Sequence, residues 1–146
     1  MAGGIALAVV AVMGTAWAQT EVITARRDGL KRMGGHMEAI KAVTEARGDT
    51  QPLVARAEDM AAWFQALPTR FPAGTDTPPG TGPGQTRALP VIWTERAGFE
   101  RAAANAAAAA GALRTAAATG DAAATARAFQ ELGSTCGACH RTYRAR

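Results

Sequence analysis

Apolar side chains recur at intervals of three and four along most of this chain, and nowhere do they alternate residue by residue. The first pattern lays one stripe along a helix, and the second is what a half-buried strand would need. Four helices are therefore expected. From Gln19 to about Arg47 the stripe is Val22, Ile23, Arg26, Leu30, Met33, Met37, Ile40 and Thr44, and Gly48-Asp49 ends it. Gly34-Gly35 in its middle costs about 1 kcal/mol per glycine against alanine, which suggests that something bulky approaches the backbone there. A second helix runs from about Gln51 to Leu67, with Asp49 or Thr50 as its cap, Pro52 near its first turn and Pro68 at its end. It turns Leu53, Val54, Ala57, Met60, Ala61, Phe64 and Leu67 inward. A crossing loop rich in proline and glycine then reaches Leu89 with no element of its own. Pro90 opens a third helix that passes through Val91, Ile92, Trp93, Phe99 and the alanine run from Ala102 to Ala110, ending near Ala118. After the stop and cap Thr119-Gly120-Asp121, a fourth extends from about Ala122 to Arg144.

Two short connections and one long one imply an all-α fold over residues 19–146, an antiparallel up-down-up-down four-helix bundle. Residues 1–18 stand apart. They contain no charged side chain, run through Ile5-Ala6-Leu7-Ala8-Val9-Val10-Ala11-Val12 and close on Ala16-Trp17-Ala18. That is an apolar core followed by a small-x-small site, so a secretory signal peptide cut before Gln19 is expected, although the usual basic residue near Met1 is missing. The run is short for a membrane anchor, and the mature chain is expected to be free of the membrane. The 16 basic and 12 acidic side chains all stay with the mature chain, giving a modest net charge of +4. No cluster of Lys and Arg interleaves with aromatics, which argues against nucleic acid as a partner.

The chemistry sits near the end, in Cys136-Gly137-Ala138-Cys139-His140. C-x-x-C-H is the attachment pattern of c-type haem. On a helix Cys136 and Cys139 share a face at i and i+3, so both sulfurs can reach the two vinyl groups along one porphyrin edge. His140 then offers the iron a nitrogen on the proximal side. A dithiol redox motif or half a zinc site are the competing readings. The first wants a βαβ context that is missing, and the second needs two further ligands where the only other histidine is His36. These two cysteines are the only ones in the chain. Haem attachment needs reduced thiols in an otherwise oxidising compartment, so the periplasm is the expected location.

With these residues in view, the whole mature chain resembles a class II cytochrome c, most closely a cytochrome c′, itself a standing example of the up-down bundle. The resemblance is carried by Arg26-Arg27-Asp28-Gly29-Leu30-Lys31-Arg32-Met33, by Leu67-Pro68 with Phe71-Pro72-Ala73-Gly74-Thr75, by Pro90-Val91-Ile92-Trp93, and by Cys136 to Arg144. It implies a covalent haem c with its iron, one per chain, near one end of the bundle. It makes His140 the proximal ligand and Tyr143-Arg144 the completion of the motif, with the Arg144 charge disfavouring protonation of the imidazole. It sets Arg26 near a haem propionate and Leu30 over the sixth coordination position. Leucine has no lone pair, so the iron would be five-coordinate and high-spin. A shift of one turn would bring Met33 to the iron instead, and His36 is also within reach by sequence.

An apolar distal face with no hydrogen-bond donor favours small neutral gases, nitric oxide and carbon monoxide, over hydrated anions. The alternative is a low-spin electron carrier with His and Met ligands. A peroxidase-like enzyme would need a distal acid or base, so no enzymatic activity is expected. The redox partner protein is not specified. Family members are often homodimers through the first two helices, where Met37, Val43, Val54 and Phe64 could supply apolar area. With few large side chains, the bundle is expected to need the porphyrin as part of its core.

Overall fold

The computed structural model describes residues 5–76 and 86–146, with side chains described from residue 18 onward. The apolar stripes all become helices: α1 (Ile5–Ala46), α2 (Leu53–Gln65), a 3₁₀ turn (Leu67–Arg70), α3 (Val91–Thr94), α4 (Arg96–Ala118) and α5 (Ala122–Tyr143). Helix α1 begins well before Gln19, because the leader is itself rich in good helix formers and nothing in it breaks the helix. The proposed cleavage site spans a boundary whose leader side chains lie outside the described residues, as do Pro78, Pro79 and Pro83 of the crossing loop. Among the described residues no helix is long and apolar enough to cross a membrane.

The core gathers along one axis. Ile40, Leu53, Met60, Phe99, Leu113 and Leu132 are buried, and small Ala57, Ala103, Ala110 and Ala117 let the helices come close. Helices α2, α4 and α5 form the most extensively packed part, and α1 leans on them more lightly. Phe64 belongs to this core, while Met37, Val43 and Val54 are only partly buried against it.

Four details differ from the sequence reading. Neither Asp49 nor Thr50 caps α2: Pro52 holds the cap position, and Asp49 Oδ1 accepts only from the Gln51 amide at 3.0 Å. Thr50 is buried and donates its hydroxyl to the Ala117 carbonyl at 2.8 Å, joining the entry of α2 to the last turn of α4. Second, the third helix is broken at Glu95 (φ −116°, ψ 46°), separating α3 from α4. The break lets Trp93 and Arg96 both reach the 3₁₀ turn and the residues just after it. Trp93 Nε1 donates to Phe71 O at 3.2 Å and Pro72 O at 3.0 Å, and Arg96 donates to Phe71 O at 3.0 Å and Pro68 O at 2.6 Å.

Third, α5 stops at Tyr143, and Arg144 is extended. A short antiparallel bridge pairs Ala88 with Arg144, with Leu89 N–H donating to Tyr143 O at 3.0 Å and Ala145 N–H to Arg87 O at 2.8 Å. These backbone partners compete successfully with one more helical turn. Fourth, the close approach of another helix to α1 falls at Gly29, against Trp63; among the described residues nothing outside α1's own backbone lies within 4 Å of a Cβ built at Gly34 or Gly35, and Gly34 lines the cavity described below.

Asp121 does cap α5, its Oδ1 accepting from Ala123 N–H at 2.8 Å and Ala124 N–H at 2.9 Å. Gly120, at φ 75°, supplies the left-handed residue that ends α4 just before it.

Candidate haem site

A cavity of about 1020 Å³ opens between α1, α2, α4 and α5, and all eight residues singled out from the sequence line it: Arg26, Leu30, Met33, Cys136, Cys139, His140, Tyr143 and Arg144. Their assembly follows from helical spacing. Cys136, Cys139 and His140 fall on one side of α5, and Arg26, Leu30 and Met33 on the facing side of α1. The two sulfurs are free thiols, half-buried. Burial, with the neighbouring Cys136 second, pushes the Cys139 thiol up to about 11, and burial also raises that of Cys136. Partial burial first, and the Arg144 charge second, hold the His140 imidazole below its ordinary pKa. The Arg144 effect expected from sequence is thus present, although Arg144 acts from an extended C-cap rather than from the helix.

Arg26 is only 2% exposed. It donates to Thr75 Oγ1 at 3.0 Å, Thr75 O at 2.8 Å, Thr86 Oγ1 at 3.0 Å and, more loosely, Arg70 O at 3.4 Å. It thereby clasps the two chain segments that flank the crossing loop. No carboxylate pairs with it among the described residues, and burial pulls its pKa down to about 10. The guanidinium lies over the Phe71 ring, 4.2 Å from its centroid. Phe71 in turn meets Phe99 edge-on at 4.8 Å, and Phe99 meets Tyr143 at 5.3 Å. This aromatic file lines the cavity, and Phe71, named above only as part of the family pattern, was given no site role because it lies outside any helical stripe.

On the α1 side the candidates separate. Leu30 is 37% exposed, the one large hydrophobic side chain left open among the described residues, and it faces this cavity. Met33 is 3% exposed and belongs to the core cluster, although it reaches the cavity wall. His36 does not line the cavity. Its Nε2 lies 2.8 Å from Asp59 Oδ2 and its Nδ1 3.2 Å from Arg56, so both ring nitrogens are engaged by α2.

The shape and chemistry fit a haem. A large flat apolar group suits the Ala102, Ala103 and Ala106 wall of α4, two thiols and an imidazole suit its attachment, and a buried guanidinium without a carboxylate suits an acidic substituent.

A helical bundle whose last helix carries C-x-x-C-H on the wall of such a cavity is a bundle-type c-type cytochrome. The family model described as Cytochrome C' matches residues 21–144, and the chain belongs to that family. It is 38% identical to the cytochrome c′ of Pararhodospirillum photometricum over 120 residues, covering 82% of this chain and 92% of that one. Its fold is similar to that of cytochrome c′ from Thermochromatium tepidum, with TM-score 0.79 and 34% identity, covering 88% of this chain and 97% of that one. A further cytochrome c′, described for its ligand-controlled dimer dissociation, is 32% identical with TM-score 0.79 over the same shares. The cofactor is haem c with its iron.

Proposed function

We propose that the chain is an exported, periplasmic haem protein whose iron is five-coordinate and high-spin, that it binds small neutral gases such as nitric oxide and carbon monoxide, and that it can pass electrons. Haem c, once attached, supplies an iron centre that exchanges one electron and can take a ligand on its open side. In this reading Cys136 and Cys139 hold the porphyrin covalently and His140 is the metal ligand. Tyr143 packs the cavity lining through Phe99. Arg144 keeps the imidazole unprotonated, and Arg26 faces a haem propionate.

The observation that carries the reading is Leu30, an exposed apolar side chain on the cavity lining, with no lone pair. It screens the distal side without closing it. Met33 also lines the cavity and keeps the low-spin carrier as the alternative, while the engaged ring of His36 counts against a second histidine. The relative with ligand-controlled dimer dissociation supports a homodimer that responds to ligand, and the family resemblance would run its seam through α1 and α2. The leader, removed before Gln19, would deliver the chain to the periplasm.

Optical spectra of the ferric, ferrous and carbon-monoxide-treated ferrous protein test the proposal. A broad high-spin ferrous Soret band that shifts with carbon monoxide is the expected result. Sharp low-spin α and β bands indifferent to the gas would overturn it and assign Met33 to the iron.

A further inference from the structure

The position of Leu30 is set by its neighbour. Gly29 is buried on α1, and a methyl group placed there would overlap the six-membered ring of Trp63 on α2. The indole therefore packs directly against the α1 backbone, one residue before Leu30. Trp63 is itself held. The Arg70 guanidinium lies 3.7 Å from its ring centroid and that of Arg32 lies 5.4 Å away. Arg32 is fixed to α2 through both carboxylate oxygens of Asp59, Nε to Oδ2 at 3.0 Å and a terminal nitrogen to Oδ1 at 3.1 Å. Cation–π contacts of this kind add attraction without a rigid direction, but two of them on one indole restrict its tilt.

Because α1 leans lightly on the other helices, a single wedge has leverage over it. A close-packed contact cannot yield gradually, since any extra volume must move an element or a side chain. We infer that the Trp63–Gly29 contact is a positioning device that sets how far Leu30 reaches into the distal half of the cavity, and so how readily a small gas enters. Trp63 does not line the cavity. It acts only through α1. The inference rests on the distal assignment of Leu30 proposed above.

The test uses the haem-loaded protein and six variants: Gly29→Ala, Trp63→Leu, the two combined, Leu30→Ala, and Gly29→Ala and Trp63→Leu each in the Leu30→Ala background. Carbon monoxide affinity and association rate are measured beside the ferrous Soret spectrum and the thermal midpoint. Gly29→Ala should push α1 away from α2, lower the midpoint and raise carbon monoxide affinity about fivefold. Adding Trp63→Leu gives the new methyl room and should return both quantities most of the way, a coupling that two independent defects would not show. In the Leu30→Ala background Gly29→Ala should no longer change affinity. If Leu30→Ala alters affinity and Gly29→Ala does not, the positioning role is wrong and the distal assignment stands. If Leu30→Ala has no effect, the distal assignment itself fails. Should Gly29→Ala not fold alone, Trp63→Leu alone must still shift affinity when Leu30 is present and leave it unchanged when Leu30 is absent.

Discussion

The guanidinium of Arg26 lies 4.2 Å from the centroid of the Phe71 ring while its nitrogens hold Thr75 and Thr86, on either side of the crossing loop. One buried side chain thus joins α1, the cavity lining and both ends of the loop. Lys in its place keeps the charge but has no planar fork. Arg26→Lys should lose at least two of these hydrogen bonds and about 2 kcal/mol of stability, at a net value near 1 kcal/mol each. Chemical denaturation of the haem-loaded protein measures the loss, and faster amide exchange at residues 86–89 would locate it.

Leu30→Met offers a thioether where the wild-type residue has only methyl groups. The variant is expected to show low-spin α and β bands and a ferrous spectrum insensitive to carbon monoxide. His36→Ala is the matching control: with both ring nitrogens engaged by Asp59 and Arg56, its removal should leave the spectrum unchanged.

Asp121 supplies the acid sensitivity of α5. Its carboxylate accepts from the Ala124 and Ala123 amides, which holds its pKa below 3.8. A carboxyl group with a depressed folded pKa contributes stability above its unfolded value and loses it as pH falls through the folded one. Acid titration followed by helical circular dichroism should therefore show part of the loss below about pH 4 in the native chain. In Asp121→Asn, which can still cap but cannot titrate, that part should disappear.

Removing the attachment chemistry tests the dependence of the core on its cofactor. The double variant Cys136→Ala with Cys139→Ala should retain haem only noncovalently and lose it to acidified solvent. The cofactor-free product should melt broadly, because nothing then fills the 1020 Å³ between α1 and the other helices. A sharp, cooperative melt matching the haem-loaded protein would contradict this.

Much of this arrangement was legible in the sequence because it depends on local periodicity. Cys136, Cys139 and His140 share a face by spacing alone, and Arg26, Leu30 and Met33 share another, so their meeting across one cavity needed only two helices side by side. What escaped the sequence are contacts between distant positions. The helix break at Glu95 carries no glycine or proline, and its cause is the pull of loop carbonyls on Trp93 and Arg96. Gly29 carried no signal of its close approach, because only the partner helix decides which glycine faces an indole, whereas Gly34 of the Gly34-Gly35 pair lines the cavity itself. Thr50 read as a cap and proved to be a cross-link, since its hydroxyl found a carbonyl 67 residues away.

That cross-link has a consequence for how the protein acquires its cofactor. Ala117 lies eleven residues beyond Ala106 on α4, roughly 16 Å along the helix from the cavity wall at 1.5 Å per residue. The bundle is therefore fastened at one end by a buried polar latch and alanine packing that owe nothing to haem. Cys136, Cys139 and His140 line the cavity toward the other end, so a haem can be seated and attached there without breaking the latch.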